Sequence, residues 1–437
     1  MLLNLKHKPQ KLKDLNQQLN LKGDLLMKIK KIHLFLLSMV MVFSFGLFPF
    51  SVLAASSNQV PPTINVALYG YVPDTERFEK AVQNAWNAIE PNVQLNFVDW
   101  DCYDEDPNQN LDVFVFDSIY LQHYVAEDYL LPIAPNEIQD KDDLLPFALS
   151  GTTINGNIYA LPQIICTNLL YYRKNDTQIQ NVNTVTDLYQ ILGDRQSNSI
   201  IPAPNEGLLF DMSGGTTKVC LYLDALIDQT GLYTTYTQLP TTFDPQVVSY
   251  LEMFQSMAGK AQANYWPDNN DAYIRAKWFS EGKGRTYLGY TEAMSTMGDF
   301  VNDIDFKTIS YSQYNNIPIF YGDVIGINAN ISTEKKDLAI KLMNTIGAKD
   351  TMVDALSPDQ NNPYPQYLLP ARESVYETMD LTYPIYGKLH TIATNPANKL
   401  FLIGPEINEW MPNAKSVIKD LLNQASQVPA YLTNNAA

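Results

Sequence analysis

The sequence predicts an α/β fold built on a parallel sheet, with enough chain for two domains. Residues 64–68 and 93–97 alternate between apolar and polar side chains, as strands do, and a segment with helical spacing lies between them. A strand–helix–strand order places its two strands parallel in one sheet. The length of 437 residues exceeds one compact domain and suits two.

The helix between these strands has recognisable ends. Asp74 can accept a hydrogen bond from a free amide of the first turn, and Pro91 cannot continue the helix. The apolar residues between them recur at spacings of four, four and three, on one helical face: Phe78, Val82, Trp86 and Ile89. Residues 112–116, which follow the second strand, are more continuously apolar, as expected of a buried parallel strand.

The rest of the chain continues the alternation without an internal repeat. An Asn-Gly turn leads into a strand that covers 155–173, and a further strand covers 323–328. The segment 277–299 is predicted to form a helix, a glycine-rich turn, a strand and a second helix. Three more segments have helical spacing: 184–192, 217–230 and 338–346.

The amino-terminal region has the pattern of a secretory signal peptide. Residues 28–33 read Lys-Ile-Lys-Lys-Ile-His, an apolar run covers 34–53, and small residues end the run at Ala54. This order predicts cleavage after Ala54. Gly46 and Pro49 interrupt the run, which disfavours a transmembrane anchor.

Residues 1–26 precede the signal and have no export pattern of their own, so we treat 1–54 as an upstream extension plus a signal peptide at 27–54. We hypothesise that translation of the natural protein starts at Met27. No Cys follows the cleavage site, where a lipoprotein needs one. We therefore expect a secreted, extracellular or periplasmic protein that is free of the membrane once the signal is removed.

The charge of the mature chain is strongly negative. Residues 1–54 hold eight Lys and two Asp, so 22 of the 30 basic and 45 of the 47 acidic residues remain, for a net charge of −23. A surface of this sign repels nucleic acid and favours small cations, although solubility alone would also explain it. The content of 46% hydrophobic and 18% charged residues is that of a globular protein.

Cysteine usage leaves at least one thiol free for chemistry. Cys102, Cys166 and Cys220 are an odd number in an exported chain. Only two His remain after residue 54, so a carboxylate is the more plausible activator of a reactive thiol. The acidic run at 99–106 lacks the glycine that a calcium loop needs at its sixth position, and we expect no metal.

Four segments carry a resemblance to a known fold. They are Gly-x-x-Tyr-Ala-Leu-Pro at 156–162, Leu-Leu-Tyr-Tyr-Arg-Lys at 169–174, Trp-Phe-Ser-x-Gly at 278–282 and Val-Ile-Gly-Ile-Asn at 324–328. In this order they resemble the type II periplasmic-binding-protein fold, of the maltose-binding kind. The resemblance implies two α/β lobes with a ligand cleft between them. It assigns 55–164 and 306–350 to the amino-terminal lobe and 165–305 and 351–437 to the carboxy-terminal lobe, with chain crossings near 163–167 and 305–310.

Seven further segments, spread over essentially the whole mature chain, carry a more specific resemblance. They begin with Tyr-x-Tyr-Val-Pro-Asp, Asp-Trp-Asp-x-Tyr and Leu-Asp-Val-Phe-Val-Phe-Asp-Ser-Ile, and continue through the thirteen-residue run around Cys166. They also include Leu-Gly-Tyr-Thr-Glu, Ile-Pro-Ile-Phe-Tyr-Gly-Asp-Val and Tyr-Pro-Gln-Tyr-Leu-Leu-Pro-Ala-Arg. In order, they occupy 69–74, 99–103, 111–119, 162–174, 288–292, 317–324 and 364–372. Together they resemble the thiaminase I (thiamine pyridinylase) family.

This resemblance implies roles for particular residues. Cys166 matches the nucleophile that attacks the thiamine pyrimidine, and Glu292 matches the base. Asp117 and Asp323 match carboxylates that bind the aminopyrimidine. The cleft tyrosines of the family match six positions: Tyr69, Tyr71, Tyr103, Tyr273, Tyr290 and Tyr321. The implied partners are thiamine and a pyridine-like, amine or thiol co-substrate, with no cofactor, and a closed cleft needs no second subunit, so we expect a monomer.

Without the family resemblance, local sequence patterns favour structural, non-catalytic roles for these residues. A Cys in an apolar run such as 164–166 is more often inert core, and Glu and Tyr residues are more often surface or structural. Cys102 lies among carboxylates that would raise its thiol pKa, and Cys220 lies on a predicted helix where packing is the simpler role. The alternative function is a non-catalytic solute-binding protein that delivers thiamine or a related pyrimidine to an importer.

Overall fold

Two β-sheets organise the protein. The computed structural model describes residues 61–233, 239–313 and 315–425. Within these ranges the chain forms a seven-stranded sheet, a four-stranded sheet and a two-stranded hairpin. The expected signal peptide at 27–54 and the extension before it lie outside the described residues. In the described part, no helix is both long and apolar enough to cross a membrane.

The larger sheet combines parallel and antiparallel strands. The strands in chain order are β1 Thr63–Ala67, β2 Gln94–Phe97, β3 Val113–Asp117, β4 Thr153–Ile154, β5 Asn157–Ile158, β6 Leu161–Cys166, β7 Leu169–Arg173, β8 Pro204–Phe210, β9 Gly284–Gly289, β10 Ile304–Lys307, β11 Ile319–Ile327, β12 Leu369–Pro370 and β13 Lys399–Leu400. The larger sheet has the order β12-β6-β11-β3-β1-β2, with β13 paired to β11, and the smaller has the order β10-β7-β9-β8. The parallel pairing of β1 with β2 and β3 is as expected, whereas β11 runs antiparallel to β3 and β6.

Helices cover the sheets and connect their strands. In chain order they are α1 Thr75–Ile89, α2 Leu121–Ala126, α3 Pro146–Gly151, α4 Thr177–Gln180, α5 Val185–Leu192, α6 Gly215–Thr230, α7 Pro245–Ala258, α8 Lys260–Ala263, α9 Ile274–Ser280, α10 Thr333–Ile346, α11 Lys349–Leu356, α12 Glu373–Asp380, α13 Ile385–Ala393 and α14 Ile407–Ala425. At the start of α1, Asp74 accepts a hydrogen bond of 3.1 Å from the Arg77 amide, as a capping residue should. The expected apolar face is buried as far as Trp86, but Ile89 in the last turn is 53% exposed.

The chain passes between the two sheets at two places. The first lies between the end of β6 and the start of β7, and the second between the end of β10 and the start of β11. Asp228 of α6 holds the second passage, since its carboxylate accepts hydrogen bonds from the amides of Tyr311 at 2.8 Å and Ile317 at 2.9 Å. Because Asp228 is buried, these bonds fix the connection to the helices of the smaller sheet.

The resemblance assigns 351–437 to the carboxy-terminal lobe, and the described part of this segment, 351–425, contributes elements to both sheets. β12 pairs with β6 and β13 pairs with β11, so both short strands extend the larger sheet. In contrast, α14 packs through Ile418 and its neighbours into the apolar core that contains Val219 of α6 and Leu251 of α7. The two short strands form hydrogen bonds with the larger sheet, whereas the last helix packs its apolar face against the helices of the smaller sheet.

A glycine in β11 allows two parts of this architecture to approach closely. A β-carbon at Gly322 would lie 2.7 Å from Cδ1 of Leu400 in β13, which is closer than van der Waals contact allows. Gly322 stands between Tyr321 and Asp323 in the sequence. The small residue therefore lets β13 pack against the part of β11 that carries two of the predicted site residues.

Candidate active site

One cavity of about 670 Å³ contains the whole predicted constellation. It lies beyond the carboxyl ends of β3 and β6, the position where open α/β sheets bind ligands. All ten predicted site residues line it: Tyr69, Tyr71, Tyr103, Asp117, Cys166, Tyr273, Tyr290, Glu292, Tyr321 and Asp323. The structure therefore brings together residues that are separated by more than two hundred positions in the chain.

Cys166 is a free thiol at the last position of β6. Its Cα partner across the ladder is Tyr321 of β11, which also lines the cavity. Burial raises the pKa of the thiol well above its usual range, and the carboxylates of Asp323, Glu292 and Asp117 raise it further. The sulfur is therefore protonated in the resting protein, so a base must accept its proton as it attacks.

Glu292 is placed to be that base. It lies in the 3-10 turn Thr291–Thr296, which follows β9 directly, and it is only 6% exposed. Burial raises the pKa of its carboxyl to about 7. Among the described residues, its Oε2 atom has no hydrogen-bond partner although it is buried. An unpartnered carboxyl oxygen with a pKa near neutrality can accept a proton and return it later.

Asp117 and Asp323 form a buried acidic pair. They are Cα partners in the β3–β11 ladder, and both are below a tenth exposed. Burial raises the pKa of Asp117 to about 6, although Oδ2 accepts a hydrogen bond of 2.5 Å from the Tyr103 hydroxyl and Oδ1 accepts one of 3.0 Å from the Ile119 amide. Burial together with the Asp117 and Glu292 charges raises the pKa of Asp323 well above its usual range. Asp323 is therefore the member of the pair that is protonated near neutral pH.

Tyrosines connect these carboxyls into one network. The hydroxyl groups of Tyr69 and Tyr103 lie 3.1 Å apart, and the Tyr69 side chain partly offsets the rise in the pKa of the Asp323 carboxyl. Tyr103 in turn donates to Asp117. Each side chain in this chain of contacts fixes the next, so the acidic pair is held in place before any ligand arrives.

The remaining tyrosines provide ring faces and the rim of the cavity. The Tyr71 ring packs 5.4 Å from those of Tyr69 and Tyr103, and its hydroxyl donates a hydrogen bond of 2.5 Å to Asp101. Tyr71 is 56% exposed, which puts it at the mouth. The three other predicted tyrosines line the wall, and two of them, Tyr290 after β9 and Tyr321 in β11, have ring centroids 6.0 Å apart. Flat cationic rings bind well among such faces.

The other two cysteines differ in position. Cys102 is buried outside the cavity lining, and burial and then the Asp117 charge raise its thiol pKa. Cys220 lies on α6 as expected, but it also lines the cavity, which the helical pattern did not predict. Asp211, Ser213 and Trp266 line the cavity as well, and sequence patterns missed them because they lie in loops without a motif.

The fold and the site define a class of protein: an enzyme built on the two-lobed fold of periplasmic binding proteins. Maltose-bound MalE3 of T. maritima has the same fold at 17% identity, with a TM-score of 0.60 over 83% of this chain and 98% of that chain. The family model of the thiaminase-1 domain matches residues 167–312.

Comparison with relatives identifies the family. A thiaminase-1 from Paenibacillus thiaminolyticus is 47% identical over 363 residues, which cover 82% of this chain and 88% of that protein. The structure titled Clostridium botulinum thiaminase I in complex with thiamin is 60% identical, with a TM-score of 0.82, and covers 82% of this chain and all of that one. The chain belongs to the thiaminase I family, which confirms the predicted family and fold.

Proposed function

We propose that this protein cleaves thiamine and transfers its pyrimidinylmethyl group to an organic base or a thiol, as a thiamine pyridinylase. The observation that supports this most strongly is the convergence of the free Cys166 thiol, the unpartnered Glu292 carboxyl oxygen and a buried acidic pair on one cavity. The relative whose structure contains thiamin is 60% identical, so the same ligand is the natural candidate here.

The first half of the reaction makes a bond to sulfur and releases the thiazole. Glu292 accepts the thiol proton as the Cys166 sulfur adds to a carbon of the pyrimidine ring. The ring holds the added electron pair, and a protonated acid beside its nitrogen favours this. The pair then expels the thiazole: the bond between the methylene carbon and the thiazolium nitrogen breaks, and the thiazole departs as a neutral molecule. The pyrimidine, with an exocyclic methylene, stays attached to sulfur.

The second half transfers the group and restores the enzyme. The lone pair of an acceptor nitrogen or sulfur forms a bond to the methylene carbon, and the carbon–sulfur bond to Cys166 breaks. An acceptor that carries a proton, such as a thiol, releases that proton to solvent. The sulfur leaves as a thiolate and takes back the proton that Glu292 has held. Because the thiazole departs before the acceptor reacts, ping-pong kinetics are expected.

The acidic pair suits the aminopyrimidine of thiamine. A protonated carboxyl donates to a ring nitrogen and accepts from the neighbouring amino group, so one neutral acid can make both hydrogen bonds. Asp323, whose pKa is raised well above its usual range by burial and by the Asp117 and Glu292 charges, would supply this group. The ionised Asp117, anchored by Tyr103, would favour the positive charge of the thiazolium.

The cellular part of the proposal rests on the sequence. A signal peptide at 27–54 and the absence of a lipoprotein cysteine after it favour a secreted enzyme, extracellular or periplasmic. The proposed chemistry uses only side chains of one subunit and needs no cofactor. A monomer is proposed because all ten predicted site residues that line the cavity belong to one chain.

A direct assay separates this function from an importer's binding protein. The mature protein is mixed with thiamine and pyridine, and thiamine loss and the pyridinium exchange product are followed by chromatography. An enzyme consumes thiamine in catalytic excess over protein and forms the exchange product. Tight thiamine binding with no consumption would contradict the proposal and support delivery to an importer.

The neutral state of Asp323 makes a prediction about thiamine affinity. We expect Asp323→Ala to weaken binding by about tenfold or more, because a hydrogen-bonded pair worth about 1.4 kcal/mol is lost. Asp323→Asn should stay within about threefold of the parent, since an amide also donates and accepts along one edge. Calorimetry in a Cys166→Ser background measures both without turnover. Equal losses in the two variants would show that Asp323 binds thiamine as an anion.

A further inference from the structure

Part of the cavity is not used by the proposed chemistry. Beyond the reacting groups, its wall on the smaller-sheet side includes Asp211, Ser213 and Trp266. Trp266 is unusual among them because it is a large apolar side chain that is 47% exposed. The indole therefore presents part of its surface to solvent at the cavity wall.

The indole is nevertheless held in place. Its Nε1 atom donates a hydrogen bond of 2.9 Å to Oδ1 of Asn270. Asn270 has a φ angle of 56°, in the left-handed region that Asn tolerates better than most residues, and this closes the loop back toward the tryptophan. A bond to the ring edge restrains the indole and leaves its faces free to stack against a flat molecule.

A buried arginine joins this loop to the neighbouring cavity wall. Arg275 is 1% exposed, and its Nη2 atom donates to the carbonyl groups of Gln262 at 2.8 Å and Tyr265 at 2.6 Å. Its Nη1 atom lies 3.2 Å from Oδ2 of Asp211. The negative charge of Asp211 is therefore compensated by Arg275, unlike the charges of the acidic pair and of Glu292. The region suits an uncharged flat base better than a strongly charged group.

The reaction requires an acceptor to reach one particular atom. The acceptor must attack the methylene carbon from which the thiazole has departed, so it must enter the space that the thiazole vacates. We propose that Trp266 is the stacking platform of this acceptor subsite and makes the enzyme favour flat heteroaromatic bases over aliphatic thiols. This inference rests on the proposed transfer function, and it names a specificity-determining residue for the second half of that reaction.

The test isolates the second half-reaction. The parent protein, Trp266→Ala and Trp266→Phe are each incubated with thiamine and no acceptor, freed of small molecules, and then mixed with pyridine or 2-mercaptoethanol. Intact mass follows the loss of the sulfur-bound pyrimidine against a sample without acceptor. For Trp266→Ala we expect the second-order rate constant with pyridine to fall about tenfold, and that with 2-mercaptoethanol to change less than about twofold.

Trp266→Phe and the comparison of the two acceptors distinguish a stacking role of Trp266 from a general effect of its removal. Trp266→Phe keeps an aromatic face and should stay within about threefold of the parent with either acceptor. An equal loss with both acceptors in Trp266→Ala, or no loss with pyridine, overturns the inference. If the parent itself forms no sulfur-bound pyrimidine, the proposed function fails at its first step, which is a different result from a missing preference between acceptors.

Discussion

Replacing Cys166 by serine is expected to reduce thiamine turnover by at least about 10⁴-fold while leaving thiamine affinity within a few-fold of the parent. A serine hydroxyl is far less acidic and less nucleophilic than a thiol, and Glu292, with a pKa of about 7, is too weak a base to ionise it. The aspartates and tyrosines that bind the substrate are unchanged. Turnover with pyridine and calorimetric binding of thiamine measure the two effects separately.

A second cysteine gives the control for this result. Cys102 is buried like a core residue and does not line the cavity, so Cys102→Ser should keep turnover in whatever fraction of the protein is folded. Full activity in Cys166→Ser would discard the assigned nucleophile. Loss of thiamine binding in Cys166→Ser together with loss of turnover would point to a structural rather than a chemical role for the sulfur.

Replacing Glu292 by glutamine is expected to slow adduct formation by about 10² to 10⁴-fold, because the thiol then lacks a positioned proton acceptor. In the parent protein, Glu292 can accept the thiol proton only when its carboxyl group is ionised. The rate of adduct formation should therefore rise with pH through about 7, the pKa to which burial raises this group. In Glu292→Gln that rise should disappear. Quenched-flow mass measurements between pH 5 and 9 test both statements.

Glu292→Gln slows the reaction, but it should increase the stability of the folded protein relative to the parent as the pH rises. The carboxyl of Glu292 has a folded-state pKa above its usual value of 4.5, so the folded protein binds more protons than the unfolded chain between pH 4.5 and 7. Its burial therefore costs stability as the pH rises through this window, by roughly 3–4 kcal/mol when complete. Relative to the parent, Glu292→Gln should become more stable on going from pH 5 to pH 8. The exposed Glu281→Gln is the matched control, and an identical pH dependence in both variants would contradict the buried-base assignment.

Local sequence patterns predict the elements better than they predict the site. The alternation at β1 and β2 and the capped helix α1 follow from short-range rules, and the structure has them where the patterns place them. Cys166 and Glu292 have no such local signal, because one ends an apolar strand and the other is a buried acid in a short turn. Their assignment came from resemblance across many segments, and their proximity depends on β7 pairing with β9, since Leu169 is the Cα partner of Gly289.

Two features could not be predicted from sequence for identifiable physical reasons. The strands β12 and β13 have two residues each, too few for a period to be recognised, so nothing indicated that they join the larger sheet. Trp266 and Asp211 lie in separate loops that are brought to one wall by Arg275, an interaction between distant positions that leaves no motif. The one residue in the sequence that could have suggested this contact is Arg275. Its burial, which gives it that meaning, is known only from the structure.

The covalent step is the centre of the proposed mechanism, and mass spectrometry of the intact protein tests it most directly. After incubation with thiamine and no acceptor, the mature protein should gain the mass of the pyrimidinylmethyl group, and peptide mapping should locate it on Cys166. Addition of pyridine should then restore the original mass. An unchanged mass in protein that binds thiamine, or an adduct on a residue other than Cys166, would contradict catalysis through this sulfur.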